Sequence, residues 1–268
     1  MTIDKPLLHK QLPKGKRVWV IASVEGRAEQ LFELHKLIGE KYRVGDALVY
    51  TGNIFGGFTG EITKTVDEIL SFRRRIMANF ETESDSICYV RGAYEDMLSK
   101  FFNLHIDKKP AERYASMINS GLKYTLMSYG INPEKGTVAA EQGTIYLLNF
   151  INNLTSEIRK HDGHHEFWVS KSLVHYVNTE DKSLLILSAG FDRQKPIDVQ
   201  KEEIAYGGGG FYNASPYDGY KTVIRGKAFD IRDDGIFSDT GYITLNPVTH
   251  LYAMLFDENG DPDTLIKV

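Results

Sequence analysis

The stretch Arg17–Leu34, RVWVIASVEGRAEQLFEL, sets Ser23 and Glu25 between a short apolar run and a helix-like pattern. A hydroxyl and a carboxylate at the lip of a strand can move a proton or ligate a hard cation. Strand, tight loop and helix in that order is a common address for chemistry in α/β proteins. Two further stretches share the layout: ALVYTGN, with Gly52 and Asn53, and ICYVRGAYED, with Gly92. Gly26, Gly52 and Gly92 each relieve the steric limit of a sharp turn. Strand ends of one such sheet converge, so the three turns are expected to meet at a single crevice.

Other residues invite a chemical reading and receive a plainer one. His161, His164 and His165 stand in KHDGHHEF, where i, i+3, i+4 spacing around Gly163 fixes no ligand geometry. The polar surroundings read as a solvated loop rather than a ligand set. Gly207–Gly210 lacks the Lys-Ser or Lys-Thr of a P-loop. It is expected to be a mobile loop near the crevice, with Phe211, Tyr212, Tyr217 and Tyr220 available to line a binding surface. His175 and His250 stand in apolar alternation and are expected to pack at strand or helix surfaces. The single cysteine, Cys88, excludes an intrachain disulfide and a cysteine metal cage, and its apolar neighbours predict a buried, inert thiol.

The elements that must position these residues follow from periodicity. Strands are predicted at Val18–Ala22, Ala47–Tyr50 and Ile87–Val90, with helices at Ala28–Ile38 and Thr63–Arg73 between them. That order favours a parallel sheet with crossover helices. Residues 99–160 read as mostly helical, over Tyr114–Ser128 and Thr144–Arg159, with a break at Gly130–Gly136. The second half changes to short strands in LLILSAG, KTVIRG, GIFSDTGYITL and HLYAMLFD, with the loop Tyr206–Tyr220 among them. Residues 1–16 read as an N-terminal tail or edge segment, and residues 17–268 as one domain.

Seven stretches, in order, resemble the signatures of the calcineurin-like metallophosphoesterases. VIASVEGRAEQL is similar to Gly-Asp-x-His-Gly, LVYTGNIFGGF to Gly-Asp-x-x-Asp-Arg-Gly, and YVRGAYEDML to Arg-Gly-Asn-His-Glu. LLILSAGFD stands where that family ends a strand in His-Ala-Gly, and TVIRGKAF where it has Gly-His-Thr-Pro. FSDTGYITL resembles the Asp-Thr-Gly strand, and LYAMLFDENG the closing strand. The similarity runs over roughly residues 17–258, and the branch it most resembles holds the phosphoprotein phosphatases and bacterial diadenosine tetraphosphatases. It implies an α/β, four-layer fold: a metallophosphoesterase-like two-sheet β-sandwich flanked by helices.

The resemblance also implies which positions should carry chemistry, and there the residues depart from it. The family clamps a phosphate with two metals and activates a bridging water. Ser23 and Glu25 replace its first aspartate and histidine ligands, and Asn53 its bridging aspartate. Gly56 and Gly57 stand for a later aspartate and the phosphate-binding arginine. Ala93 replaces the asparagine ligand, Tyr94 the catalytic histidine, and Ser188 and Lys227 the two later histidine ligands. Arg91, Gly92, Glu95, Asp239 and Gly241 keep the family's identity. No metal is therefore expected at this site and no cofactor is implied. Lys227 is expected to occupy the vacated metal position and pair with Glu25, with Asn53 and Ser23 supplying hydrogen bonds. The alternative is a Lys227 that reaches solvent and a Glu25 that is an exposed loop acid.

Two functions follow as expectations. One is a pseudophosphatase, a binding, scaffolding or regulatory module that takes a protein partner or a phosphorylated ligand, with Arg91 and Lys227 as anion contacts and Glu25, Asn53 and Tyr94 lining the site. The other is a phosphoesterase that hydrolyses a phosphorylated small molecule, nucleotide or protein through Glu25, Tyr94, Glu95 and Asp239, without metals or with one at a remodelled site. The chain has 268 residues, 42% of them hydrophobic, enough for a sizeable core. A net charge of −4 argues against nucleic acid or an anionic membrane as partner. No run approaches a membrane span, and one cysteine fits a cytoplasmic setting.

Overall fold

VWVI, ALVY and ICYV are apolar along their whole length, so each needs cover on both faces, as a central parallel strand has. The computed structural model describes residues 9–57, 59–169, 173–212 and 216–268. Its strands are β1 (His9–Leu12), β2 (Val18–Ile21), β3 (Ala47–Tyr50), β4 (Ile87–Val90), β5 (Leu173–Val174) and β6 (Tyr176–Thr179). They continue with β7 (Leu184–Leu187), β8 (Thr222–Arg225), β9 (Gly235–Asp239), β10 (Tyr242–Asn246), β11 (Tyr252–Phe256) and β12 (Pro262–Lys267). Its α-helices are α1 (Ala28–Gly39), α2 (Ile62–Phe80), α3 (Ala93–Phe102), α4 (Pro110–Met117), α5 (Lys123–Ser128), α6 (Pro133–Gln142), α7 (Thr144–Ile158), α8 (His164–Trp168) and α9 (Glu202–Tyr206).

Two six-stranded sheets result, in the orders β12-β11-β2-β3-β4-β5 and β1-β6-β7-β8-β10-β9. In the first, β2, β3, β4 and β5 run parallel, α1 and α2 make the crossovers, and β11 and β12 close the edge antiparallel. The fold is the metallophosphoesterase-like, two-sheet α/β arrangement with helical flanks. His9–Leu12, within the segment expected as tail or edge, is an edge strand parallel to β6; residues 1–8 lie outside the described residues. β1, β5, β6 and β12 have no counterpart among the predicted strands, and the predicted break at Gly130–Gly136 is where α6 starts, at Pro133. GIFSDTGYITL is a hairpin whose turn, Thr240-Gly241, has both φ values positive, at 46° and 83°, the pattern of the primed turns that match strand twist.

Side chains of the second sheet alternate between two cores with the strand period of two. Leu184 and Ile186 of β7, Ile224 of β8, and Ile243 and Leu245 of β10 join the main core, together with β2, β3 and β4. Leu185, Leu187, Val223 and Tyr242 face the other way and pack with Phe191, Ile197, Ile204, Phe211, Tyr217 and Tyr220. Phe211, Tyr217 and Tyr220 are therefore buried core, not the lining of an open surface as their loop composition suggested, while Tyr212 packs against that core half-buried. The reason is the outer face of β7, β8 and β10, which would otherwise be bare. Residues 213–215 of that loop lie outside the described residues.

Arg225 fastens this second core from below. It is 2% exposed, donates from Nε to Thr244 Oγ1 at 2.8 Å and from Nη1 to the Ala189 carbonyl at 3.0 Å. Its guanidinium lies 4.1 Å from the Phe211 ring centre, a cation–π contact strengthened by burial. Arg225→Met should lower stability by about 1–3 kcal/mol and speed amide exchange across residues 206–212. Denaturant unfolding and hydrogen exchange check this, and no change in either removes the clamp role.

Candidate functional site

The crevice forms where the C-terminal ends of β2, β3 and β4 meet those of β7 and β8. Ser23 N–H donates to the Gly226 carbonyl at 3.0 Å, and the N–H groups of Gly226 and Lys227 donate to the Ser188 carbonyl at 3.0 and 3.1 Å. The sheets approach so closely that a Cβ on Gly226 would lie 1.7 Å from Thr51 Oγ1, so no other residue fits there without moving β3.

Glu95 shapes one wall. Its carboxylate, wholly buried, accepts four backbone N–H groups: Asn53 at 2.8 Å, Ile54 at 2.6 Å, Phe55 at 3.0 Å and Gly92 at 2.7 Å. Charge-assisted bonds of this kind are stronger than neutral ones, and here they tie the turn after β3 to the start of α3. The carboxylate is thereby spent on structure. Asn53 sits at φ 55° and Glu25 at φ 51°, a left-handed conformation that costs a side-chain-bearing residue roughly 1–2 kcal/mol. The Glu25 N–H donates to the Asn53 carbonyl at 2.8 Å. The Asn53 amide donates from Nδ2 to Ser23 Oγ at 2.9 Å and accepts from the Tyr94 N–H at 3.2 Å.

Glu25 and Lys227 meet in this crevice. Lys227 Nζ is 3.1 Å from Glu25 Oε1 and 3.2 Å from Oε2, and also donates to the Pro247 carbonyl at 3.4 Å. The Glu25 side chain is 1% exposed and that of Lys227 12%. Arg27, which the sequence reading did not single out, is a third member. Its Nη1 is 3.1 Å from Glu25 Oε2, and its Nη2 donates to the carbonyls of Pro247 and Val248, each at 3.0 Å. One signal could have found it: a cation two residues past a buried acid needs somewhere to go. The cluster carries two cations and one anion, a net positive charge in a confined space.

The remaining predicted residues divide by location. Ala93 opens α3, and beside it the Tyr94 ring lies where a side chain on Gly56 would stand. Burial, with Glu25 and Glu95 nearby, pushes the Tyr94 phenol well above its usual range, so it is a neutral hydroxyl at any ordinary pH. Gly57 is equally constrained, since a Cβ there would lie 2.1 Å from the Glu25 carbonyl oxygen. Ser188 is wholly buried, and its Oγ has no hydrogen-bond partner among the described residues. Arg91 is set toward β5, its Nε 3.5 Å from the Leu173 carbonyl. Asp239 is not brought to the crevice. It is exposed and pairs with Tyr242, at the end of β10 opposite Asn246, because β10 runs parallel to β8 and brings its other end to the site.

Outside the crevice one expectation changes and another holds. His164 is wholly buried at the start of α8, not solvated. Its Nδ1 is 2.9 Å from the Tyr129 hydroxyl and its Nε2 3.0 Å from Asp67 Oδ1. Polar neighbours in sequence misled here, because the partners come from α2 and the end of α5. Cys88 is buried as predicted, and burial pushes its thiol up to about 12.

No protein-family model matches the sequence, and no curated protein matches it. Among solved structures, one described as "a putative diadenosine tetraphosphatase" matches at 15% identity and a TM-score of 0.52, over 98% of this chain and 97% of that one. A cold-active protein-tyrosine phosphatase of the psychrophile Shewanella sp. matches at 12% identity and a TM-score of 0.46, over 99% of this chain and 85% of that one. The first likeness is one of fold along the whole length: the chain has a phosphoesterase-like fold. No helix among the described residues is long and apolar enough to cross a membrane.

Breaking a buried ion pair from one side strands a charge. Glu25→Gln and Lys227→Met should therefore each destabilise, while the double variant loses less than their sum, with a coupling of roughly 1–3 kcal/mol. Additive losses in denaturant unfolding would mean that the pair is not coupled. A pH effect comes from His175, which burial, aided by the Arg91 and Lys201 charges, pulls down to about 4 from its ordinary 6.5. Between those values the unfolded chain holds a proton that the native chain does not, so stability rises as pH climbs through that window and levels off above it. His175→Gln should flatten the rise, and an unchanged slope of melting temperature against pH assigns it to another group.

Proposed function

We propose that this chain is a pseudophosphatase, a phosphoesterase-like fold that serves as a binding, scaffolding or regulatory module. The observation that carries the reading is the Lys227 ammonium 3.1 Å from the Glu25 carboxylate. Two divalent metals need several anionic or imidazole donors with free lone pairs. The crevice residues do not fit that demand. Glu25 already faces Lys227 and Arg27, and Asn53 is neutral with its amide engaged on both sides. Ala93 has no donor, and the Glu95 carboxylate is filled by backbone N–H groups. A cation entering beside Lys227 and Arg27 meets two like charges. The hydrolytic alternative loses support for the same reasons: Glu95 is occupied, Asp239 lies at the far end of the sheet, and the Tyr94 hydroxyl holds its proton.

The net positive charge of the cluster suits an anionic ligand, so a phosphorylated ligand or phosphorylated protein segment is the partner class proposed. Lys227 is held by Glu25 and the Pro247 carbonyl, which leaves Arg91 as the freer anion contact. Guanidinium geometry matches phosphate through two parallel hydrogen bonds. No cofactor is proposed for the crevice, and a cytoplasmic setting is proposed from cysteine usage.

Activity against p-nitrophenyl phosphate and a dinucleoside polyphosphate, each with added Mn²⁺, separates the readings. No turnover is expected, and inorganic phosphate should bind in calorimetry about tenfold more weakly to Arg91→Met. Turnover that Glu25→Gln abolishes overturns the proposal.

A further inference from the structure

The cluster Asp67, His161 and His164 lies outside the crevice and is left unused by the function proposed above. One ligand atom from each lies within 4.8 Å of the other two. Asp67 comes from α2, His164 from the first position of α8, and His161 from the turn between α7 and α8. The imidazoles of His161 and His164 stack with centres 5.0 Å apart, and the Tyr129 ring meets both edge-on at 5.4 and 5.8 Å. Tyr129 thus supports both rings from one side, while Asp67 stands at the open side with 61% of its side chain exposed.

Two details point the same way. Ring nitrogens of His161 have no hydrogen-bond partner among the described residues, so a lone pair is available there. The Tyr129 hydroxyl sits 2.9 Å from His164 Nδ1, where a metal-bound histidine usually has an oxygen to receive its other N–H. His164 Nε2 faces the Asp67 carboxylate 3.0 Å away, so an ion held there would take the place of the proton that the two groups share.

We propose that Asp67, His161 and His164 form a binding site for a divalent transition metal of the zinc type, with the fourth position open to water. Two imidazoles and one carboxylate select zinc-like ions over magnesium or calcium, which prefer all-oxygen shells. Ligand atoms about 2.0–2.2 Å from a tetrahedral ion stand closer together than the present limit, and the exposed Asp67 and partly exposed His161 can swing inward. The bound ion would staple α2 to the turn ahead of α8.

Calorimetric titration of the full, untagged chain with Zn²⁺, followed by Co²⁺ absorption, tests the site. One equivalent of Zn²⁺ should bind, Co²⁺ should give a visible tetrahedral band, and excess Mg²⁺ should displace neither. His161→Ala and Asp67→Asn, each checked for an unchanged fold by circular dichroism, should weaken Zn²⁺ binding about tenfold or more and abolish the band. His165→Ala and Glu25→Gln should leave both intact, the latter separating this site from the crevice. Absence of binding by the native chain, or binding undiminished in His161→Ala, overturns the proposal.

Discussion

One buried carboxylate organises the crevice. Glu95 draws four backbone N–H groups from two separate turns onto its two oxygens. A buried charge is tolerated only when it is well solvated by such partners, and the demand runs both ways: N–H groups in tight turns have no ladder to join. The turn after β3 and the first turn of α3 are held at one spacing, and Asn53 is held with them. The strained φ of Asn53 persists because these bonds leave it no other place. Glu25 inherits the arrangement through its N–H to the Asn53 carbonyl.

The ion-pair cluster rests on that frame. Glu25 is nearly sealed from solvent, so its charge must be met inside the protein, and two cations from different parts of the chain meet it. Lys227 follows β8 and Arg27 precedes α1, so the pairing joins the C-terminal edges of both sheets. Arg27 extends the joint to the Pro247 and Val248 carbonyls. There the backbone is in turn fixed by Asp234, which accepts the N–H groups of Val248, Thr249 and His250 at 2.8, 2.9 and 3.2 Å. These bonds, with the Tyr252 hydroxyl and His250, hold the Asp234 carboxyl well below its usual range despite desolvation.

Much of this frame was legible in sequence where apolar runs are long and punctuated by glycine. The β2-α1-β3-α2-β4 order is visible in VWVI, ALVY and ICYV because full burial demands unbroken apolar character. The short strands β5 and β6 were not legible, since Leu173–Val174 and Tyr176–Thr179 carry too few residues to show a period. At the site, the positions of Ser23, Glu25, Asn53 and Lys227 could be placed from signature order. Their partners could not: the contacts of Arg27, Arg225 and Asp234 are made by tertiary approach and leave no local mark. The same limit explains His164, whose polar sequence neighbours say nothing of Asp67 and Tyr129 waiting across the fold.

The helix α2 shows how far the crevice depends on such distant partners. It starts at Ile62, a few residues after the turn that carries Gly56 and Gly57 against Tyr94 and Glu25. Consecutive acids on it, Asp67 and Glu68, point in different directions, as a step of about 100° per residue requires. Asp67 meets His164 on α8, while Glu68 meets His35 Nδ1 on α1 at 2.7 Å. His35 in turn holds the Tyr50 hydroxyl at 2.9 Å, and Tyr50 is the last residue of β3, just before the crevice turn. Both imidazoles are fully buried, and burial keeps each below its ordinary proton affinity even though a carboxylate faces it. The helix is therefore held on both flanks by polar pairs whose strength depends on where a proton, or a cation in its stead, resides. Apolar packing along Val66, Ile69, Phe72 and Ile76 fixes its distance from the sheet, and the acid–imidazole pairs add direction, one of them reaching the end of β3 through Tyr50.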